Sequence, residues 1–258
     1  MPVDLVADIR AARRIVVLTG AGMSAESGIA TFRDALTGLW SRFDPQTLAT
    51  REGFKRDPAL VWGWYEARRR GVLNATPNAG HLALRDLAAM DGVADLAIVT
   101  QNVDNLHERA GSQQVIHLHG SLFAPRCLAC AHAYAYAETD GAGQTSPGEP
   151  DRPVQPPRCT HCGGPIRPGV VWFGEELPTR EWAQAVDRVR EADLLLVVGT
   201  SGQVYPAASL PAIVEQNGRP VWIIDPDEGL AKGTREFWNS TAAAGLPALV
   251  AACARKQH

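Results

Sequence analysis

Residues 15–25 read IVVLTGAGMSA: four apolar residues, Ile15–Leu18, run almost directly into Gly20-Ala21-Gly22-Met23-Ser24-Ala25. A continuous apolar run of this length reads as a strand buried on both faces. The following G-x-G-x-x-G/A pattern marks a strand-to-helix turn. There the glycines let the backbone approach a pyrophosphate and the helix start offers free N–H donors. The competing reading is a tight turn that only packs. An ordinary dinucleotide fold would next show a strand ending in Asp or Glu about 20 residues on. Here TFRDALTGLWSRFDPQ stands in that place and is not strand-like. The later segment PVWIID, ending at Asp225, can offer an acid to the adenosine ribose instead, so a variant nucleotide fold is expected.

Working outward, strand-length apolar runs recur at Leu96–Val99, Val115–Leu118, Leu194–Val198 and Val221–Ile224. Helical stretches, such as Ala79–Ala89 and Arg180–Glu191, lie between them. This alternation predicts an α/β fold: a variant Rossmann-type parallel sheet with right-handed crossovers and ligands at the carboxyl ends of the strands. Two segments break the alternation. Residues 34–78 look helical, with Trp40, Phe43, Leu48, Phe54, Leu60, Trp62 and Trp64 as packing residues; residues 122–168 carry four cysteines. The expected organisation is a discontinuous sheet domain (1–33, 79–121 and 169–258) with a smaller inserted lobe. A helical module (34–78) and a zinc-ribbon module (122–168) make up that lobe. Thr139–Arg158, rich in Gly, Pro, Ser and Gln, is expected to be a mobile loop.

The chain has 258 residues, 45% hydrophobic and 21% charged, with a formal net charge of −3. A sizeable core is possible, and the charge does not suit a general binder of nucleic acid or membrane surfaces. The N-terminal apolar run is too short for a secretory signal, and the other runs are of strand length, too short to span a membrane. A cytoplasmic, monomeric protein is expected.

Cys127/Cys130 and Cys159/Cys162 form two C-x-x-C pairs, and Cys253 stands apart. In a cytosolic chain such pairs suggest metal rather than disulfides. Four thiolates suit tetrahedral zinc, and a closed four-sulfur site leaves no position for catalysis, so the ion is expected to be structural. Redox pairs or disulfides are the alternative, and His161 could be an alternative ligand. A zinc ribbon can also bind nucleic acid. From Ser121 to Pro168, however, Arg126, Arg152, Arg158 and Arg167 are balanced by Glu138, Asp140, Glu149 and Asp151, and no basic footprint is visible.

GAGMSAESGIATFR (20–33), TQNVDNLHERAG (100–111), HLHGS (117–121), the two cysteine pairs, VVWFGE (170–175) and GTSGQVYPA (199–207) occur in this order. Together they resemble the sirtuins, NAD-dependent protein-lysine deacylases, over nearly the whole chain. The resemblance implies that Gly20, Ala21, Gly22, Ser24, Ile29, Phe32, Arg33 and Trp40 line the NAD loop. It places Gln101, Asn102, Val103 and Asp104 around the nicotinamide and its ribose, with Asn102 and Asp104 sharing in catalysis. It sets Gly199, Thr200, Ser201, Asp225, Pro226, Asp227 and Ala242 along the rest of the dinucleotide. Val171, Trp172, Phe173 and Glu175 would border the acyl-lysine and peptide channel, and His119 would be the general base. Asp225 departs from the family's usual Asn, and Ala242 is only loosely aligned.

Read as a residue alone, His119 at a strand end is more often a satisfied histidine than a base. An ordinary imidazole pKa of about 6.5 nonetheless suits proton transfer near neutrality. His117, two residues earlier on the same strand face, is its rival. Asn102 and Asp104 could equally be turn formers. The implied reaction consumes NAD: the acyl-lysine amide oxygen displaces nicotinamide, and free lysine and O-acyl-ADP-ribose are produced. Tyr65 and Arg68 form Y-x-x-R at helical spacing, on one face, where a phenol and a guanidinium can hold a carboxylate; a solvated basic helix end is the plainer reading. The arrangement resembles the sirtuin branch that removes succinyl, malonyl and glutaryl groups, and Ala35 leaves room for the longer acyl chain. Desuccinylase and demalonylase activity beside deacetylation is therefore expected. The rivals are a mono-ADP-ribosyltransferase, a non-catalytic NAD-sensing module and an NAD-dependent dehydrogenase.

Overall fold

The computed structural model describes residues 1–29, 48–136, 152–230 and 235–255. A first helix, α1 (Val3–Ala11), leads into β1 (Arg14–Thr19) and the short α2 (Gly22–Ala25). After the stretch 30–47 come α3 (Arg51–Arg56), α4 (Pro58–Asn74) and α5 (Ala79–Ala88). The chain continues through β2 (Asp95–Thr100), α6 (Leu106–Arg109), β3 (Val115–His117) and the tiny strands β4 (Arg126–Cys127) and β5 (Ile166–Arg167). It closes with α7 (Thr179–Glu191), β6 (Leu194–Val198), α8 (Leu210–Gln216), β7 (Val221–Asp225), β8 (Glu236–Asn239) and α9 (Ala242–Ala254).

Six strands form one sheet in the order β3-β2-β1-β6-β7-β8, all parallel; β4 and β5 pair separately and antiparallel. The five apolar runs are β1, β2, β3, β6 and β7; the four inner strands are buried on both faces, whereas β3, at the sheet edge, is only partly buried. Ile15 and Val17 of β1 join one core cluster with Leu194, Leu196 and Val198, while Val16 and Leu18 join the cluster on the other face with Leu195 and Val197. This alternation is why the strands read as unbroken hydrophobic stretches. The strand order is that of a doubly wound nucleotide fold once the β4–β5 pair is set aside as an insertion. The strand expected soon after the glycine turn is β2, deferred by the segment 30–78; it ends in Thr100 and Gln101, not an acid. The edge strand β8 is not apparent in the sequence. Its residues are only partly buried and its apolar pair, Phe237-Trp238, is too short to stand out.

A third cluster lies away from the sheet. Leu48, Phe54, Trp62, Trp64 and Tyr65 pack there with Cys127, Cys159, Ile166 and Trp172, so the helical and cysteine-bearing segments share one core. Local signals start its helices. Thr50 accepts from Gly53 N at 3.0 Å, and Asp57, ahead of Pro58, accepts from Leu60 N at 2.9 Å. A buried ion pair within α4, Arg69–Glu66 at 2.9 Å, is joined by the Tyr136 hydroxyl, which donates to Glu66 at 2.7 Å. Of the expected mobile loop 139–158, residues up to 151 lie outside the described residues. The remainder is docked: Val154 N donates to Ala59 O at 2.9 Å. Among the described residues no helix is long and apolar enough to cross a membrane.

Candidate active site

The strand order reverses between β1 and β6, where the carboxyl ends of two strands open a crevice. The two turns there are in backbone contact. Gly20 N donates to Val198 O at 3.1 Å and Gly22 N to Gly199 O at 2.9 Å. A Cβ on Gly22 would stand 2.7 Å from Gly199 Cα, and Gly199 itself has φ +61. No side chain fits between the turns, so the crevice floor is bare backbone, a cradle of the kind a pyrophosphate requires. Gln101 Nε2 reaches across the crevice to Thr200 Oγ1 at 3.0 Å. Ser201 follows, half-buried, on the same turn.

Below this floor the end of β2 carries a closed polar network. Asn102 Nδ2 donates to Gly20 O at 3.0 Å and to Ser24 Oγ at 3.2 Å; Ser24 Oγ donates to Asp104 Oδ2 at 3.0 Å. The other Asp104 oxygen accepts from Leu106 N at 3.0 Å. Burial raises the Asp104 pKa, and the Leu106 N–H, the Ser24 hydroxyl and the charge of His117 pull against that rise. Thr100 Oγ1 accepts from Asn102 N at 3.0 Å and from Thr19 Oγ1 at 2.8 Å, and Thr19 Oγ1 also lies 3.2 Å from His107 Nε2. The turn form expected of Asp104 is therefore present, and the Asn102 and Asp104 side chains tie the ends of β1 and β2 together. Val103 packs against the third cluster, as does Ile29.

The two histidines of HLHG divide. His117 is engaged at both ring nitrogens: Nδ1 is 3.1 Å from Asn102 O and Nε2 is 2.6 Å from Glu108 Oε1. His119 Nδ1 is 3.1 Å from Gln101 O, which fixes the tautomer with its N–H there and leaves the Nε2 lone pair available. Burial holds the His119 pKa below its ordinary value, against a smaller upward pull from the Gln101 carbonyl, so the neutral form that can accept a proton prevails at neutrality. The His119 carbonyl accepts from Val171 N at 2.8 Å. The chains approach closely here because residue 120 is glycine. It sits at φ +73, and a Cβ on it would stand 2.2 Å from Gly169 O.

Tyr65 and Arg68, the pair expected on the acyl side, both lie on α4. Tyr65 is buried, and burial pushes its pKa up to about 12, offset in part by the Arg68 charge and the Trp172 indole N–H. The Arg68 guanidinium lies 4.8 Å from the Trp64 ring centre and 5.7 Å from that of Tyr65, within electrostatic reach of Asp104. Among the described residues it makes no hydrogen bond. Phe173 is exposed, whereas Trp172 is buried against Phe54. Trp172 Nε1 is buried with no hydrogen bond of ordinary geometry. Glu175, expected at the channel, directs its carboxylate inward: it accepts from Arg167 Nη2 at 2.9 Å and from Trp172 N at 2.9 Å. The Arg167 guanidinium also lies 3.5 Å over the Trp172 ring. Arg167 is a contributor that the sequence does not single out, since only its partners eight residues on reveal it.

The four cysteine sulfurs lie within 4.8 Å of one another, with Cys127–Cys162 at 3.5 Å and Cys130–Cys159 at 3.7 Å. A tetrahedron with Zn–S bonds of about 2.3 Å has edges of about 3.8 Å, so the donor set fits zinc. The thiols interact strongly: the Cys130 N–H lowers the Cys127 pKa, while against the pull of the His132 N–H the neighbouring sulfurs raise that of Cys130, a mutual repulsion that a bound cation would relieve. His132 and His161 stack at 5.6 Å and are not in the ligand set. The remaining expected positions among the described residues lie at the end of β7 and at the start of α9. Asp225 ends β7 and accepts from Asp227 N at 2.9 Å, with Pro226 between them. Ala242 opens α9, buried against Gly80. Phe32, Arg33, Ala35 and Trp40 lie outside the described residues.

A family model described as the Sir2 family matches residues 20–206. NAD-dependent protein deacylase 2 of Corynebacterium efficiens is 51% identical over 246 residues, covering 95% of this chain and 94% of its own length. NAD-dependent protein deacylase 1 of Pseudomonas aeruginosa is 54% identical over 226 residues, covering 87% and 88%. Among solved structures, a Sir2 homologue–NAD complex superimposes with a TM-score of 0.84 at 41% identity, covering 98% of this chain and 94% of the other. A Sir2–p53 peptide–NAD+ complex gives 0.79 at 29% identity, covering 97% and 98%.

Proposed function

The chain belongs to the Sir2 family and is an NAD-dependent protein deacylase; we propose that it removes succinyl and malonyl groups from lysine, and acetyl groups beside them. The observation that carries this reading is the Arg68 guanidinium. It is set against two aromatic rings next to Tyr65, and no hydrogen bond occupies it among the described residues. A largely desolvated cation with no hydrogen-bonded carboxylate among the described residues is costly, and a carboxylate at the end of an acyl chain would satisfy it with paired charge-assisted bonds. The Tyr65 hydroxyl, kept protonated by burial, would donate a further one.

Bound NAD supplies a glycosidic bond that the acyl-lysine amide oxygen can break, releasing nicotinamide and passing the acyl group to the ribose. The bare Gly20–Gly22 and Gly199 backbone would hold the phosphates, and Asn102, Asp104 and Gln101 would hold the nicotinamide ribose. His119 would take the ribose hydroxyl proton at Nε2, its ring oriented by the Gln101 carbonyl. The four cysteines would hold a structural zinc, leaving it no open position for chemistry. We also retain as proposals the discontinuous sheet domain with inserted helical and zinc-ribbon modules, a monomeric state and a cytoplasmic location. The three core clusters support the first, and a thiol cluster of metal type suits a reducing compartment.

The test is incubation with NAD and matched acetyl-, succinyl- and malonyl-lysine peptides, with products weighed by mass spectrometry. Free lysine peptide and O-acyl-ADP-ribose in equal amounts are expected. Transfer of ADP-ribose to protein without deacylation would instead favour a mono-ADP-ribosyltransferase.

A further inference from the structure

His117 faces an acceptor at each ring nitrogen: the Asn102 carbonyl at 3.1 Å and the Glu108 carboxylate at 2.6 Å. A neutral imidazole has one N–H and one lone pair, so it would set a lone pair against an oxygen at one end. Only the imidazolium donates at both. His119 bonds the preceding carbonyl, Gln101 O, through the same Nδ1 atom, but its Nε2 makes no hydrogen bond among the described residues. Two histidines two residues apart thus grip consecutive carbonyls of one turn and carry different charge. Such opposed neighbours are a common way to divide acid and base roles.

We propose that His117 is a standing cation paired with Glu108, and that it acts as a positioning residue: it pins the Gln101–Asp104 turn and sets the alkaline limit of the reaction. This rests on reading that turn as the nicotinamide-ribose end of the site. The groups around the His117 ring agree with its charge. Glu108 on α6 and Asp104 on the turn are acids that favour the cation. His107, also on α6, is kept neutral, chiefly by burial. On β2 and α7, the elements packed beside β3, Asp95 and Arg188 are paired with each other and both bond Gln114. Burial alone would favour the neutral ring; the Glu108 bond and charge overcome it and raise the His117 pKa. A raised value keeps the cation to higher pH than an ordinary histidine. Above it, one of the two bonds is lost and the turn loosens. The lowered His119 value sets the acid limb, since the base is active only when neutral.

Glu108→Gln tests this without unfolding the chain, because the Glu108 side chain is 42% exposed and glutamine still accepts from Nε2. The alkaline limb of kcat/KM for NAD should move down by roughly one pH unit, the effect of removing an adjacent opposite charge. The acid limb should stay in place. Long-range 1H–15N histidine spectra of the unmodified protein near neutral pH should show His117 protonated at both nitrogens and His119 at Nδ1 only. A neutral His117 in those spectra, or an alkaline limb unmoved in Glu108→Gln, overturns the proposal. The spectra stand whether or not NAD is turned over, so failure of the deacylase reading would be seen separately, as absent nicotinamide release.

Discussion

Replacing Arg167 by methionine would remove the clamp beneath the 170–175 loop, which is proposed to border the acyl-lysine channel. The guanidinium donates to Pro168 O at 3.2 Å, Val170 O at 2.9 Å and both oxygens of Glu175, and lies over Trp172. The pair is largely shielded, with side chains 5% and 21% exposed. Burial alone would raise the Glu175 pKa; the Arg167 bonds, the Trp172 N–H and the charges of Arg167 and Arg126 bring it below the ordinary value instead. Breaking such a pair from one side leaves a poorly solvated carboxylate and costs about 3–5 kcal/mol. In a chain of this size that corresponds to a fall in Tm of roughly 10 °C. Glu175→Gln keeps an acceptor for Trp172 N, and Arg167 retains the Pro168 and Val170 carbonyls, but the counter-charge of a buried cation is lost, so a cost of about 2–4 kcal/mol is expected. The clamp holds Val170–Phe173, which meets the His119 carbonyl through Val171 N, whereas the Gly20 and Gly199 turns are elsewhere. The KM for peptide should therefore rise in Arg167→Met while the KM for NAD stays unchanged. Calorimetry and steady-state kinetics measure both. A Tm within about 2 °C of the parent, or equal changes in the two KM values, would refute the reasoning.

His119→Ala should abolish deacylation while NAD binding, read by titration calorimetry, and zinc content persist; retained turnover would remove the residue from the base role. One zinc per chain should be released by a thiol-modifying reagent and read colorimetrically. Cys159→Ser should lower that content and loosen the packing of Tyr136 and Ile166, seen as faster proteolysis of the small lobe. The buried His81 is held down to about 4 by desolvation. Its neutral form stabilises the fold above an unfolded-state pKa of about 6.5, and that contribution is lost as pH falls toward 4, amounting to about 3 kcal/mol. His81→Gln should flatten the acid side of a stability-versus-pH curve measured by urea unfolding, and an unchanged slope would contradict the assignment.

The legible parts of this molecule are those written in local pattern. Ile15–Leu18 and Leu194–Val198 announce central strands because both faces are buried, and the cysteine spacing announces its metal. What escapes the sequence depends on partners far along the chain. The Thr19–Thr100–His107 chain, the His117–Glu108 pair and the Arg167–Glu175 clamp exist only once strands and loops are brought together. The motif residues Asn102 and Asp104 can be placed from sequence, yet their closure through Ser24 onto Gly20 O cannot. Trp172 and Glu175 stand in a motif legible in the sequence, but their inward turn, toward the core and Arg167, is not, because it depends on Phe54 and Arg167. Edge strand β8 is missed because an edge needs less apolar surface than a centre.

The most direct test of the acyl assignment compares the unmodified enzyme with Arg68→Met on succinyl- and acetyl-lysine peptides of one sequence, at saturating NAD. Loss of a charge-assisted bond pair should lower kcat/KM for the succinyl peptide by roughly 10- to 100-fold and leave the acetyl peptide nearly unchanged. Equal losses on both peptides, or an unmodified enzyme that does not act on succinyl-lysine, would contradict the account.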